Sequence, residues 1–209
     1  MASSSKFWDR VAKGYAKSPV SDEASYQHKL EATRAHLTPE TKMLEFGCGT
    51  GSTAIKHAPY VREILATDIS GAMLDIAREK TQAAEITNIT YVETGIEALY
   101  QPEDSFDVVL GMSILHLLKD KDAALAKVFK LLKPGGRFFS STVCLEDKLV
   151  FRLAVMLSPI GRVFGLLPHL SAFSRDDLEA SIKAAGFELE EVWQPGKGKA
   201  VFIIARKPG

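Results

Sequence analysis

The sequence predicts an α/β protein in which strands and helices alternate around a single sheet. The first observation is Met43-Leu-Glu-Phe46, a short apolar strand that runs into the glycine turn Gly47-Cys-Gly-Thr-Gly51, with a helix continuing from Ser52 to His57. The second is a series of further strand–helix units behind it. The third is a closing pair of strands, Phe187–Trp193 and Lys199–Arg206, folded back at Pro195-Gly196. At 209 residues the chain fits one domain, residues 1–209, with 46% hydrophobic and 25% charged side chains.

In order, Lys6–Lys17 and Glu23–Leu37 are expected as helices, the first with Phe7, Val11 and Tyr15 at near-helical spacing. Thr38-Pro39 breaks the chain ahead of the strand Lys42–Phe46. Val61–Asp68 is a second strand and Gly71–Gln82 its helix; Asn88–Glu93 is a third strand. Asp104–Ser113 is a turn feeding a fourth, followed by Ile114-Leu-His-Leu-Leu118 and an amphipathic helix from Asp120 to Leu132. Lys133-Pro-Gly-Gly-Arg137 is read as a turn into a fifth strand, Arg137–Val143. Ser174-Arg-Asp-Asp-Leu178 opens the last helix with a cap and an acidic first turn, and Ala185-Gly186 closes it.

The glycine turn carries the chemistry. Gly47, Gly49 and Gly51 let the backbone turn tightly and approach a ligand. The spacing is G-x-G-x-G with Ser52 next, so the third glycine of the dinucleotide fingerprint is missing. Glu45 places a carboxylate two residues before the first glycine, on a strand expected to be buried on both faces, which suits a cationic ligand. Asp68 ends the second strand, where a carboxylate can accept hydrogen bonds from both ribose hydroxyls of an adenosine group; the alternative is a helix N-cap. His116 stands alone among leucines and reads either as a proton-transfer group or as a packed core histidine.

Met43–Gly51 resembles motif I of the class I S-adenosylmethionine (SAM) methyltransferases. Asp104–Ser113 resembles their motif IV, and Leu132-Lys-Pro-Gly-Gly136 is a string frequent in that family. Phe7-Trp8-Asp9 with Tyr15 resembles the opening of the small-molecule, ubiquinone/menaquinone C-methyltransferase-like group. The resemblance implies a Rossmann-like three-layer sandwich with a mixed seven-stranded sheet, its last strand antiparallel. It also implies an N-terminal helical cap over residues 5–37 and a helical lid at about 147–173, between the fifth and sixth strands. SAM would be the cofactor and S-adenosylhomocysteine the product. Its site would draw on Glu45, Gly47, Cys48, Gly49 and Gly51, with Asp68 on the ribose and Ile69 and Met73 flanking the adenine. The family's Asp at the adenine edge is replaced here by Gly95, leaving Gly95, Ile96 and Glu97 for that edge. Gly111, Met112 and Ser113 would face the transferable methyl, with His116, Tyr15, His28 and His169 as candidate bases.

From Lys148 to Arg175 the chain has no acid but carries Lys148, Arg152, Arg162 and Arg175 among Leu, Val and Phe. That segment reads as a buried helix pair with snorkelling arginines, or as a lid with an apolar wall and basic rim able to touch a membrane surface; its prolines and arginines exclude a transmembrane helix. The 26 basic residues are matched by 26 acidic ones, which argues against nucleic-acid binding. Met1–Ser5 is polar and lacks an apolar core for a secretory signal, and Cys48 and Cys144 suit a reducing compartment, so a cytoplasmic monomer or homodimer without a metal is expected. The resulting expectation is methyl transfer to a small apolar or amphiphilic acceptor. A non-catalytic SAM-binding partner and a nicotinamide oxidoreductase are the alternatives.

Overall fold

The structure, a computed structural model, describes residues 2–144 and 169–209. The strands are β1 (Lys42–Phe46), β2 (Glu63–Asp68), β3 (Ile89–Glu93), β4 (Phe106–Met112), β5 (Leu132–Thr142), β6 (Glu188–Trp193) and β7 (Val201–Arg206). The helices are α1 (Ala2–Lys17), α2 (Glu23–Arg34), α3 (Ser52–His57), α4 (Gly71–Ala83), α5 (Lys121–Leu131) and α6 (Arg175–Ala184). Seven strands form one sheet in the order β3-β2-β1-β4-β5-β7-β6. Strands β1 to β5 run parallel, and β7 runs antiparallel to both β5 and β6. The order reverses at β1, whose neighbours are β2 and β4, so a crevice opens beyond the carboxyl ends of β1 and β4.

Strand periodicity builds the layers. Leu44 and Phe46 of β1, Val109 of β4 and Phe138 of β5 enter one core together with Leu125, Val128, Leu178 and Ile182 from α5 and α6. Met43, Val108, Leu110 and Phe139 enter the other, with Ala54 of α3 and Leu74 of α4. The expected three-layer sandwich is therefore what forms, and Cys48 and Cys144 lie in opposite cores. Glu45 shares its face of β1 with Met43 and so points toward α3.

The helix ends follow local chemistry. Asp22, Ser70, Asp120 and Ser174 accept backbone N–H bonds at the starts of α2, α4, α5 and α6, and Ser174 with Asp177 completes a capping box. Helix α2 stops at Arg34, short of the expected Leu37, because the last N–H groups of His36 and Leu37 reach back only three residues, to Thr33 and Arg34. Strand β2 starts at Glu63 because Ala58–Tyr60 forms a 3₁₀ turn first.

Strand β5 departs most from expectation. It starts at Leu132, directly after α5, and Pro134-Gly-Gly136 is absorbed as an irregularity rather than a separate turn. Gly135 adopts φ 78°, and its N–H donates to the Lys207 carbonyl while the Lys207 N–H donates to the Gly136 carbonyl. The partner strand supplies the bonds that a free turn would lack. The expected lid over 147–173 lies, as far as residue 168, outside the described residues. Among the described residues, no helix is long and apolar enough to cross a membrane.

Candidate active site

A cavity of about 200 Å³ lies at the carboxyl ends of β1, β2 and β4. Gly47 and Gly49 line it beside Asp68, Ile69 and Met73, then Gly95, Ile96 and Glu97 beyond β3, and Met112 and Ser113 at the end of β4. Ser4, Trp8 and Tyr15 of α1 form the roof. Ile114, Leu117, Leu118, Lys119 and His169 close the far end.

The three glycines of the turn have the same backbone hand but different neighbours. Gly47, Gly49 and Gly51 take φ 66°, 53° and 71°. A Cβ on Gly47 would lie 2.6 Å from Ile114 Cδ1, and one on Gly51 would lie 2.7 Å from the Tyr91 hydroxyl and 2.9 Å from Ala77 Cβ. On Gly49 a Cβ would meet only Tyr15 Cε1, at 3.9 Å. Gly49 therefore gives its bare backbone to the cavity, and Gly51 packs against α4 and β3 without lining it.

Asp68 binds the turn across the sheet. Its Oδ2 accepts the Gly49 N–H at 2.8 Å and its Oδ1 the Ser70 N–H at 2.9 Å. The N-cap of α4 is Ser70, whose Oγ accepts the Met73 N–H, so Asp68 is not the helix cap. The Ile69 backbone N–H also bonds the carboxylate, and of its four lone-pair positions one is left for a ligand hydroxyl. Burial raises the Asp68 pKa against the lowering pull of its backbone N–H bonds, with the Asp9 charge adding to the rise.

Glu45 is 2% exposed and lies behind the cavity wall rather than on it. Helix α3 starts at Gly51 with no side-chain cap, and the Ala54 backbone N–H bonds the Glu45 carboxylate instead. Its Oε2 is buried without a hydrogen-bond partner. Burial, opposed by the Ala54 bond and helped by Asp68, pushes its pKa up to about 8. Cys48 is also buried off the wall, with burial holding its thiol well above the usual range.

The two residues expected to serve the reaction separate. Tyr15 overhangs Gly49 and packs edge-on against Trp8 at 6.4 Å between centroids; although the residue is 54% exposed, desolvation of its hydroxyl, then Asp68 and Glu45, raise its pKa, so it keeps its proton. His116 is not on the cavity wall; its Nδ1 is buried without a partner, and burial lowers its pKa to about 4. His28 lies against Trp193 and near Glu191, also off the wall, whereas His169 is on it.

Two wall residues, Ser4 and Lys119, carried no sequence signal, and Trp8 carried one only as part of the aromatic opening. The three reach the cavity because α1 folds over α4 and the turn after β4 closes beneath it. The contact of α1 with α4 is fixed by Asp9, whose Oδ1 accepts the Ser70 hydroxyl at 2.6 Å and the Ala72 N–H at 3.3 Å. Ser113 is a non-glycine at φ 58°, a strained conformation of the kind that gathers at ligand sites, and its N–H donates to the Ser141 carbonyl at 2.7 Å.

The seven-stranded sheet with β7 reversed, the glycine turn at the switch point and the acid closing β2 are the features that frame the cavity. Residues 43–136 match the family model described as a methyltransferase domain. The ubiquinone/menaquinone biosynthesis C-methyltransferase UbiE of Vibrio vulnificus is 32% identical over 151 residues, covering 68% of this chain and 55% of that protein. The chain thus spans about half the length of the curated relatives it matches. The solved structure of YcgJ from Bacillus subtilis superposes with a TM-score of 0.72 at 20% identity, covering 88% of this chain and 99% of that one. That of the [4+2]-cyclase SpnF superposes with a TM-score of 0.71 at 17% identity, covering 87% and 80%.

Proposed function

We propose that the chain binds SAM in this cavity and transfers its methyl group to a small apolar or amphiphilic acceptor. The observation that carries the reading is the pairing of Asp68 with Gly49: a strand-end carboxylate bonded to the glycine turn beside a backbone with no side chain over it. A Cβ at Gly49 would fill the space in which the ligand is expected. The family match over the glycine turn and the C-methyltransferase relatives support the same reading. The likeness to a [4+2]-cyclase shows that the fold alone does not fix the chemistry.

In this reading the adenosine half lies between Asp68 on the ribose side and Ile69, Met73, Gly95, Ile96 and Glu97 around the base. Gly47, Gly49 and Met112 line the path toward β4, and Glu45, Cys48 and Gly51 hold the shape of the turn from behind. When bound, SAM supplies a methyl group on sulfur that is already a good leaving group. The protein's task is then alignment and exclusion of water. Trp8 and Tyr15 cover the site, Met112 and Ser113 border the reacting end, and Leu117 and Leu118 offer the acceptor an apolar wall. Tyr15, protonated at neutral pH, serves as a hydrogen-bond donor rather than a base.

Thermal unfolding with SAM, S-adenosylhomocysteine and NAD(H) tests this directly. A ligand that binds only the folded chain raises the midpoint by mass action. Shifts with the two adenosyl-sulfur ligands alone are expected. A shift with the nicotinamide alone, or with none of the three, would overturn the reading.

A further inference from the structure

Helix α4 grips the glycine turn from the side away from the cavity. Ala77, Lys80 and Thr81 are spaced to share one face of the helix, and that face meets the turn. The Lys80 ammonium donates to the Thr50 carbonyl at 2.9 Å, the Thr50 hydroxyl at 3.2 Å and the Ser52 hydroxyl at 2.8 Å. An ammonium has three N–H donors, and these acceptors take all of them. Burial lowers the Lys80 pKa, and among the described residues no acid is paired with it. Beside it, Thr81 bonds the Tyr91 hydroxyl at 2.7 Å, and that hydroxyl and Ala77 are what a Cβ on Gly51 would strike. The peptide joining Thr50 to Gly51 is thus held at both ends, its C=O by Lys80 and its N–H by the Cys48 carbonyl at 3.0 Å. Asp68 holds the Gly49 N–H at 2.8 Å on the cavity side. Only the φ and ψ of Gly49 and Thr50 lie between the carboxylate and the ammonium.

We propose that Lys80 is a positioning residue of the cofactor turn, fixing Thr50 and Ser52 so that Gly49 keeps the conformation in which its bare backbone faces the ligand. The proposal rests on the SAM-methyltransferase reading of the cavity. Lys80 is not on the cavity wall and acts only through the turn. Gly49 stands at φ 53° without a side chain of its own to restrain it. Glycine is the most permissive residue, so a released Thr50 carbonyl lets the turn spread over other conformations. The start of α3 cannot replace the grip, because its N-cap Gly51 makes no side-chain bond. Without Lys80 the ligand itself must order the turn, and that ordering is subtracted from its affinity.

The test is calorimetry with S-adenosylhomocysteine on the full chain and on Lys80→Met, which keeps the apolar stem and loses the donors. It is run at a temperature where urea unfolding shows both chains fully folded. The affinity of Lys80→Met should fall roughly tenfold, the scale of one hydrogen bond from a charged group. A merely structural lysine would lower the urea midpoint and leave the affinity of the folded chain unchanged, and that result would overturn the proposal. In the ligand-free chain the Gly49 amide signal of a ¹H–¹⁵N spectrum, assigned through Gly49→Ala, should move in Lys80→Met; an unmoved signal would overturn it too. Should Lys80→Met not fold, Ser52→Ala decides, since it removes the shortest of the three bonds at an exposed position. Unless its affinity falls severalfold and its Gly49 signal moves, the proposal fails. Absence of binding to the wild type would overturn the cofactor reading, and this proposal with it. Binding by the wild type that Lys80→Met retains in full overturns this proposal alone.

Discussion

Gly49 and Gly51 are two residues apart and share a left-handed backbone, yet they answer to different neighbours. Gly51→Ala would press a methyl into Tyr91 and Ala77, so it should cost about 2–3 kcal/mol and lower the thermal midpoint by several degrees. Gly49→Ala meets no comparable obstacle and should cost only the left-handed strain, about 1 kcal/mol, while weakening S-adenosylhomocysteine in calorimetry. Equal losses of stability would refute this division. Asp68→Asn keeps the shape but removes the charge, and should weaken the same ligand roughly ten- to a hundredfold by the strength of hydrogen bonds to a charged group. Unchanged affinity would remove Asp68 from the site. The residue types and their spacing were legible in the sequence. Which glycine faces open space was not, because that depends on Tyr91, Ala77 and Ile114, which arrive from elsewhere in the chain.

At the scale of elements, the Asp9 carboxylate joins α1 to the start of α4. Asp9→Ala would take away the acceptor of the Ser70 hydroxyl and the Ala72 N–H. Since α1 carries Trp8 and Tyr15, the substitution should speed amide exchange along α1 and weaken ligand binding severalfold, with protection of β1 and β4 unchanged. Exchange unaltered in α1 would show that the helix is seated without Asp9. The helix itself, and the aromatic spacing within it, could be read from periodicity; its docking partner could not, since Asp9 and Ser70 are 61 positions apart. Strand β5 makes the same point. Lys133-Pro-Gly-Gly136 reads as a turn in isolation and becomes part of a strand because Lys207, the residue after β7, pairs with the Gly135 N–H and the Gly136 C=O.

For the whole molecule, three buried titratable groups set opposing slopes of stability with pH. The unfolded chain ionises Glu45 at its ordinary value of 4.5, the folded chain at about 8. Unfolding therefore releases a proton between these limits, and stability falls as pH rises through them. His57 and His116 have the reverse shift, from 6.5 to about 4, through burial, with Arg34 adding to it at His57. Unfolding takes up their protons between pH 4 and 6.5, so stability rises with pH there. Two histidines outweigh one carboxyl up to about pH 6.5, beyond which only the Glu45 decline remains. Urea midpoints should thus peak near pH 6.5, by the same balance, and Glu45→Gln should flatten the fall toward pH 8. A wild-type midpoint that climbs steadily from pH 6.5 to 8 would contradict the burial of a neutral Glu45.

The sequence by itself determined the alternation of strands and helices, because hydrophobic period, caps and glycine punctuation are local and each acts within a few residues. It also determined the boundaries of β1 and α3 and the presence of acids at the ends of β1 and β2. The tertiary structure decided which of those residues meet. It turned Glu45 behind the wall, where it serves the uncapped start of α3, and placed His116 off the wall. It brought Trp8, Lys119 and His169 to one cavity. Those outcomes depend on strand order and on the face each position takes across the sheet, and contacts made by chain segments a hundred residues apart leave no periodic trace in either one.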